Sequence, residues 1–143
     1  MQGEFHPEDF TACFVSDDVE VTGTFSTSND RLNRIYAMAY QSQRSNMLGN
    51  YTDCPQREKN GWTADASLST EHTLLNLEPD KNYREWMHNI RKAKAADGSL
   101  PGIVPTGGWG FAWGNGPAWD NVLVYVPYMT YLYRGDKTIL REN

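Results

Sequence analysis

Three carboxylates, Asp53, Glu58 and Asp65, stand within the thirteen-residue stretch DCPQREKNGWTAD, with an indole at Trp62 between the last two. The first interval is five residues and the second seven. Pro55, Asn60 and Gly61 prevent a regular helix throughout, so the stretch reads as a loop that turns into a helix near Trp62. Such a loop brings the three carboxylates to one rim, with Asp65 one helical turn beyond Trp62. Cleavage of a glycosidic bond needs that set: an acid that holds a proton near neutral pH, acceptors that grip hydroxyls, and an aromatic wall. The same spacing also describes a solvated charged loop, in which Asp53 and Asp65 cap neighbouring backbone and Glu58 pairs with Arg57 or Lys59. Spacing alone favours this blander reading. Three carboxylates could also hold a hard cation, but the Asp-x-Asp-x-Asp-Gly pattern is missing and no clear fourth ligand is near.

The elements that must position these residues are mostly helical. Ser28 or Asn29 caps a run with Leu32, Ile35, Met38 and Ala39 at spacings of three and four, ending near residues 48–50. A second helix is predicted from about Trp62 through Ala66, Leu68, Leu74 and Leu75, stopped by Pro79. A third runs from about Asp80 with Tyr83, Trp86, Met87, Ile90 and Ala93 to the Asp97-Gly98 turn. A fourth runs from Trp119 or Asp120 through Val122, Val126, Met129 and Leu132 to Gly135-Asp136. Stripes broader than one face predict helices packed in two layers. Residues 10–25, rich in β-branched and aromatic side chains, read instead as one or two strands, the tail of a sheet whose other members lie elsewhere. Between the third and fourth helices, residues 97–119 form a long glycine-rich loop with three Pro and three Trp. Loops of that length are functional or disordered, and the tryptophans argue against disorder. Trp109 and Trp113 either serve that function or plug the loop's base as a satellite core.

Composition narrows the classes of partner. The chain has 143 residues, 39% hydrophobic and 22% charged, which suits one globular domain. Five Trp and eight Tyr against five Phe supply faces that stack on sugars or nucleobases. A formal net charge of −5 with no Lys/Arg cluster argues against nucleic acid. No window approaches eighteen apolar residues, so no membrane span is predicted. The start, MQGEFHPEDF, has no secretory pattern, and the compartment stays open. Cys13 and Cys54 read most simply as unpaired thiols, with a disulfide between them still possible.

The stretch DCPQREKNGWTADA resembles the signature of the bacterial α-L-rhamnosidases. VTGTFSTSNDRLNRIYAMAYQSQRSNMLGNYTDCPQRE is similar to the opening of that family's catalytic domain, and GPAWDNVLVYVPYMTYLYRGD to a later segment of it. The resemblance covers most of residues 17–140. It implies a mainly α fold, part of an (α/α)6 barrel built from about four helices in antiparallel pairs, after a short β segment from an adjoining β-sandwich. The implied organisation is residues 1–27 as tail or linker of the sandwich and 28–143 as the amino-terminal part of the catalytic domain. It implies Glu58 as general acid, Asp53 and Asp65 as ligands of rhamnose hydroxyls, and Trp62 and Trp119 as walls of the sugar pocket. The implied reaction is inverting release of terminal α-L-rhamnose, without cofactor or metal, from a rhamnose-containing carbohydrate. Two departures are visible: Arg57 directly precedes the acid where the family often has Asp, and Asn121 replaces a frequent Ala. The family's general base lies far toward its carboxyl terminus, and no residue here matches it, so the 143 residues are expected to be inactive alone and to self-associate through exposed apolar helix faces. The other readings are a non-catalytic helical module that binds sugar or packs on a partner, or another (α/α)6 glycosidase such as an unsaturated uronyl hydrolase.

Overall fold

The computed structural model describes residues 6–113 and 116–143. Among these, a 3-10 turn at Pro7–Asp9 precedes helices α1 (Asp30–Ser45), α2 (Thr63–Asn76), α3 (Asp80–Ala93), α4 (Pro117–Asp120), α5 (Val122–Arg134) and α6 (Lys137–Glu142). The first three match the elements predicted from periodicity. Asn29 caps α1, its Oδ1 accepting from the Arg31 and Leu32 amides at 2.9 and 3.4 Å. α3 buries Tyr83, Trp86, Met87 and Ile90, the i, i+3, i+4, i+7 stripe of an amphipathic helix. It ends at Ala93, short of the Asp97-Gly98 turn.

The buried face of α2 is unusual, made of Thr63, Ala66, Ser67, Thr70, Thr73, Leu74 and Asn76. Small side chains allow neighbours to approach closely, but each hydroxyl taken from water needs a partner. Thr70 and Thr73 find theirs by donating to the Ala66 and Ser69 carbonyls one turn back, at 2.7 and 2.9 Å. α5 lies against α2 and α3, α6 returns onto α5, and α1 meets α2. The core they enclose includes Leu74, Leu77, Trp86, Met87, Ile90, Val122, Val126 and Ile139. Arg134, at the end of α5, donates to the Leu74 and Leu77 carbonyls at 2.9 and 2.7 Å, satisfying the open end of α2.

The fourth predicted helix is divided. Pro117 starts α4 at a position where the missing amide costs nothing. At Asn121 the chain turns into α5, the Asn121 carbonyl taking the amides of Val124 and Tyr125 at 2.9 and 2.7 Å. Gly135, left-handed at φ 71°, ends α5. Asp136 then caps α6 by accepting from the Thr138 and Ile139 amides.

The strands expected in residues 10–25 are reduced to one isolated antiparallel bridge, Val21 with Leu77. A strand needs a ladder to satisfy its amides. Here the Thr22 and Gly23 amides both end on the Asn76 carbonyl, at 2.9 and 3.1 Å. Gly23 is needed for that approach, since a Cβ there would lie 1.9 Å from the Leu75 carbonyl oxygen. Trp109 and Trp113 pack edge to face, centroids 5.7 Å apart, but stay 44% and 58% exposed, so they do not plug the loop as a core. Cys13 and Cys54 are both free thiols. No helix among the described residues is long and apolar enough to cross a membrane.

Candidate active site

The chain enters the acidic loop from the aromatic core. The Tyr51 ring lies 5.1 Å from Tyr83 and 5.3 Å from Trp86, which fixes where Asp53 begins. From there the loop closes on itself. The Asp53 amide donates to the Asn60 carbonyl (3.0 Å), the Asn60 amide returns to Asp53 Oδ1 (3.1 Å), and the Lys59 amide donates to the Cys54 carbonyl (3.1 Å). The tight return is made by Lys59 at φ 58°, in the left-handed region.

Within the loop, the Cys54 thiol donates to Asp53 Oδ2 at 2.7 Å, and its sulfur accepts the Glu58 amide at 3.2 Å. Glu58 Oε1 accepts from Arg57 Nη2 at 3.1 Å, and Oε2 from the Trp62 indole N–H at 3.0 Å. The Glu58 side chain is 36% exposed, so it sits at a rim and not in the core. Arg57 is held above the usual guanidinium range, first by its hydrogen bond and charge contact with Cys54, then by Glu58.

The far wall is built against a second segment. Trp62 makes an isolated antiparallel bridge with Ile103, flanked by the Val104 amide on the Gly61 carbonyl and the Thr63 amide on the Gly102 carbonyl, both 2.9 Å. α2 starts immediately after, with Asp65 in its first turn, where the helix dipole favours a negative charge. Burial nevertheless pushes the Asp65 carboxyl above the ordinary aspartate value, and the charges of Asp53 and Glu58 push the same way. Trp119, on α4, meets Trp62 edge-on at 6.4 Å and 64°.

These elements bring all five sequence-predicted residues together: Asp53, Glu58, Trp62, Asp65 and Trp119 line one shallow cavity of about 230 Å³. A second, polar cavity of about 300 Å³ adjoins it through Asp53 and Asp65 and reaches Gln43, Ser69 and His72 between α1 and α2. Burial lowers the His72 pKa, favouring its neutral form. A larger cavity of about 610 Å³, walled by Trp86, Val104 and Phe111, shares none of the five residues and contains no carboxylate.

The contacts of the blander reading are present for Asp53 and Glu58, beside the expected gathering at one rim. Asp53 caps the Asn60 amide and Glu58 pairs with Arg57, yet the same groups face one cavity with two indoles. Cys54 and Asn60 are not found by sequence reading, because their contacts depend on the loop's closure. The Asn60-Gly61 turn pair is the one local signal for it. A carboxylate oxygen of Asp53, the Cys54 sulfur and a carboxylate oxygen of Glu58 lie within 4.8 Å of one another, the set among the described residues that could ligate a metal. Their protons and lone pairs are already engaged with each other, Asn60, Arg57 and Trp62.

Comparison with known proteins places these features in a family. The model of the bacterial α-L-rhamnosidase six-hairpin glycosidase domain matches residues 20–143. An α-L-rhamnosidase of Formosa agariphila is 32% identical over 125 residues, 85% of this chain and 13% of the relative. The solved α-L-rhamnosidase from Dictyoglumus thermophilum is 35% identical with a TM-score of 0.87, covering 98% of this chain and 16% of that one. The Streptomyces avermitilis α-L-rhamnosidase, solved with L-rhamnose, is 29% identical with a TM-score of 0.83, covering 89% and 12%. The chain thus spans about an eighth to a sixth of these relatives' length.

Proposed function

Because the chain belongs to the six-hairpin glycosidase domain of the bacterial α-L-rhamnosidases, with a partial (α/α)6 barrel as its fold, we propose that it supplies the acid half of a rhamnoside-cleaving site. The observation that carries the reading is the shared cavity of Asp53, Glu58, Trp62, Asp65 and Trp119. Glu58, protonated, gives its proton to the glycosidic oxygen as the bond from that oxygen to the anomeric carbon breaks. Water attacks the opposite face and loses its proton to a second carboxylate, so configuration inverts. Asp53 does not suit that second role. Its oxygen lies within 4.8 Å of Glu58, whereas an inverting pair stands about 6.5–9.5 Å apart to admit the water. Asp53 and Asp65 instead accept from rhamnosyl hydroxyls, and Trp62 and Trp119 form the wall against the sugar ring. The base belongs to a part of the catalytic domain outside these 143 residues, with residues 28–143 contributing to that domain and 1–27 linking it to a preceding module. The substrate is a carbohydrate bearing terminal α-L-rhamnose, a reading supported by the L-rhamnose held in the Streptomyces relative.

The test uses a catalytically complete protein carrying this segment. Glu58→Gln removes proton donation, typically worth about 10²- to 10⁴-fold in rate. The loss is expected in full on a rhamnosyl disaccharide, whose alkoxide cannot leave unprotonated, and to shrink on an aryl rhamnoside with an acidic phenol. Equal losses on both substrates would remove Glu58 from the acid role.

A further inference from the structure

Cys54 touches both Asp53 and Glu58 without itself lining their shared cavity. Its thiol proton goes to Asp53 Oδ2 at 2.7 Å, and its sulfur receives the Glu58 backbone amide at 3.2 Å. The two bonds run in opposite senses, so the sulfur donates on one side and accepts on the other. Few other restraints fix the residues between. Pro55 has no amide, Gln56 and Arg57 are exposed, and the loop's other backbone ties join Asp53 to Asn60 and Cys54 to Lys59, while the Glu58 carboxylate is held by Arg57 and the Trp62 indole. The sulfur thus holds the Glu58 residue at its amide, the end opposite to the carboxylate that Arg57 and Trp62 hold. The Arg57 guanidinium bonds Glu58 Oε1 at 3.1 Å from the solvent side.

We propose that Cys54 is a positioning residue for the proposed acid, its sulfur setting the separation between Asp53, which holds the sugar, and Glu58, which protonates the leaving group. The inference rests on the function proposed above and goes beyond it, by assigning to a thiol outside the cavity the task of aligning two carboxylates inside it. The sulfur forms no covalent bond in the reaction. Its contribution is geometric, and a misplacement of about 1 Å at a catalytic group can cost about 10²-fold in rate.

The experiment compares Cys54→Ser, Cys54→Val and Cys54→Ala with the parent in a catalytically complete protein, on a disaccharide and on an aryl rhamnoside with a good leaving group. Serine keeps a donor and an acceptor, so it is expected to stay within about 10-fold of the parent on both substrates. Valine loses both bonds and is bulkier by a branched methyl, while alanine loses both without added bulk. Its kcat on the disaccharide should fall about 10- to 100-fold, with a smaller loss on the aryl rhamnoside, because proton delivery is what has been displaced. Alanine should behave like valine, and if it fails to fold, valine decides alone. A purely structural cysteine would lower both substrates by the same factor through loss of active protein, and would leave the ratio at its parental value. That result, or a valine variant as active as serine, overturns the proposal. If the parent hydrolyses no rhamnoside, or if Glu58→Gln shows no leaving-group dependence, the function itself fails and the inference falls with it. A parent and Glu58→Gln that behave as expected, beside an unchanged ratio in Cys54→Val, overturn the inference alone.

Discussion

Glu58 and Asp65 share a cavity but not an environment, and the difference suits the separate tasks proposed for them. Glu58 is at the rim, with Arg57 on one oxygen and the Trp62 indole on the other, so in the proposed acid role a leaving group approaching from solvent would displace an exposed guanidinium. Asp65 is more enclosed, and burial together with the charges of Asp53 and Glu58 raises its pKa above the ordinary aspartate value. A hydroxyl acceptor is most effective when ionised, so acidification should weaken sugar binding as Asp65 takes up its proton. The onset lies at a higher pH than for an exposed aspartate, because the shift is upward. We expect KM for an aryl rhamnoside to rise on acidification with that early onset. In Asp65→Asn, KM should be elevated at every pH and this step should be gone. Retention of the same step in Asp65→Asn would assign it to another group. On the assignment proposed above, in which Asp53 holds the sugar and not the leaving group, Asp53→Asn should weaken the disaccharide and the aryl rhamnoside alike. The three carboxylates and the indole were legible from residue types and order. The Cys54 and Asn60 contacts were not, because a hydrogen bond across a closed loop depends on turn geometry, here Lys59 at φ 58°, which no local pattern of side chains dictates.

At the scale of elements, the site depends on one close backbone approach and one uncomfortable helix start. Gly61 abuts the Val104 carbonyl, and a Cβ there would lie 2.1 Å from that oxygen. Gly61→Ala must therefore part the Trp62–Ile103 bridge and move the indole that bonds Glu58. Overpacking of this kind costs about 1–3 kcal/mol, measurable as a lowered urea midpoint, and an unchanged midpoint would show that the segments are not locked together. The helix start is Asp80, pushed up to about 6 by burial first and by Glu78 second, against the pull of Arg134. For an acid whose folded pKa lies above its unfolded value, the penalty is absent below the unfolded value of 3.8 and develops as pH rises toward 6. The stability of Asp80→Asn relative to the parent should thus increase between pH 4 and 7, by on the order of 1 kcal/mol once solvent screening of this half-exposed group is discounted. A difference that is flat with pH would refute the assignment. The helices around these points were largely readable in advance. Asn29 and the stripe of α3 obey local rules of capping and period, so α1 to α3 appear near their expected places. The division of the fourth helix was harder to read, because Trp119, Val122, Val126 and Met129 follow one apolar period across Asn121 while the backbone restarts there. The strands of residues 10–25 failed for a different reason: β propensity describes a surface that fits a sheet, and among the described residues no ladder meets this segment.

The whole molecule keeps a sizeable apolar surface in water. On α2, Leu68 and Leu75, two turns apart, are 87% and 58% exposed. On α5, Val124, Tyr128 and Leu132 recur at four-residue intervals and are likewise exposed, Val124 at 71%. The two rows belong to helices that pack together, with Glu71 joining them by accepting from the Tyr125 and Tyr133 hydroxyls at 3.4 and 3.2 Å. Isolated exposed leucines need no explanation, but a repeated stripe on two adjoining helices does. Water-exposed apolar area of this kind stabilises any association that covers it, by roughly 25 cal/mol for each Å² removed from solvent. The 143-residue chain should therefore self-associate, with a sedimentation coefficient and a melting temperature that both rise with protein concentration. Leu68→Lys and Val124→Lys together place two charges in the stripe without touching the buried faces of α2 or α5. They are expected to shift the sedimentation profile toward monomer while leaving the helical content unchanged. A parent chain that sediments as one monodisperse monomer at high concentration and melts at a concentration-independent temperature would show that these stripes tolerate water, and would end the self-association proposal.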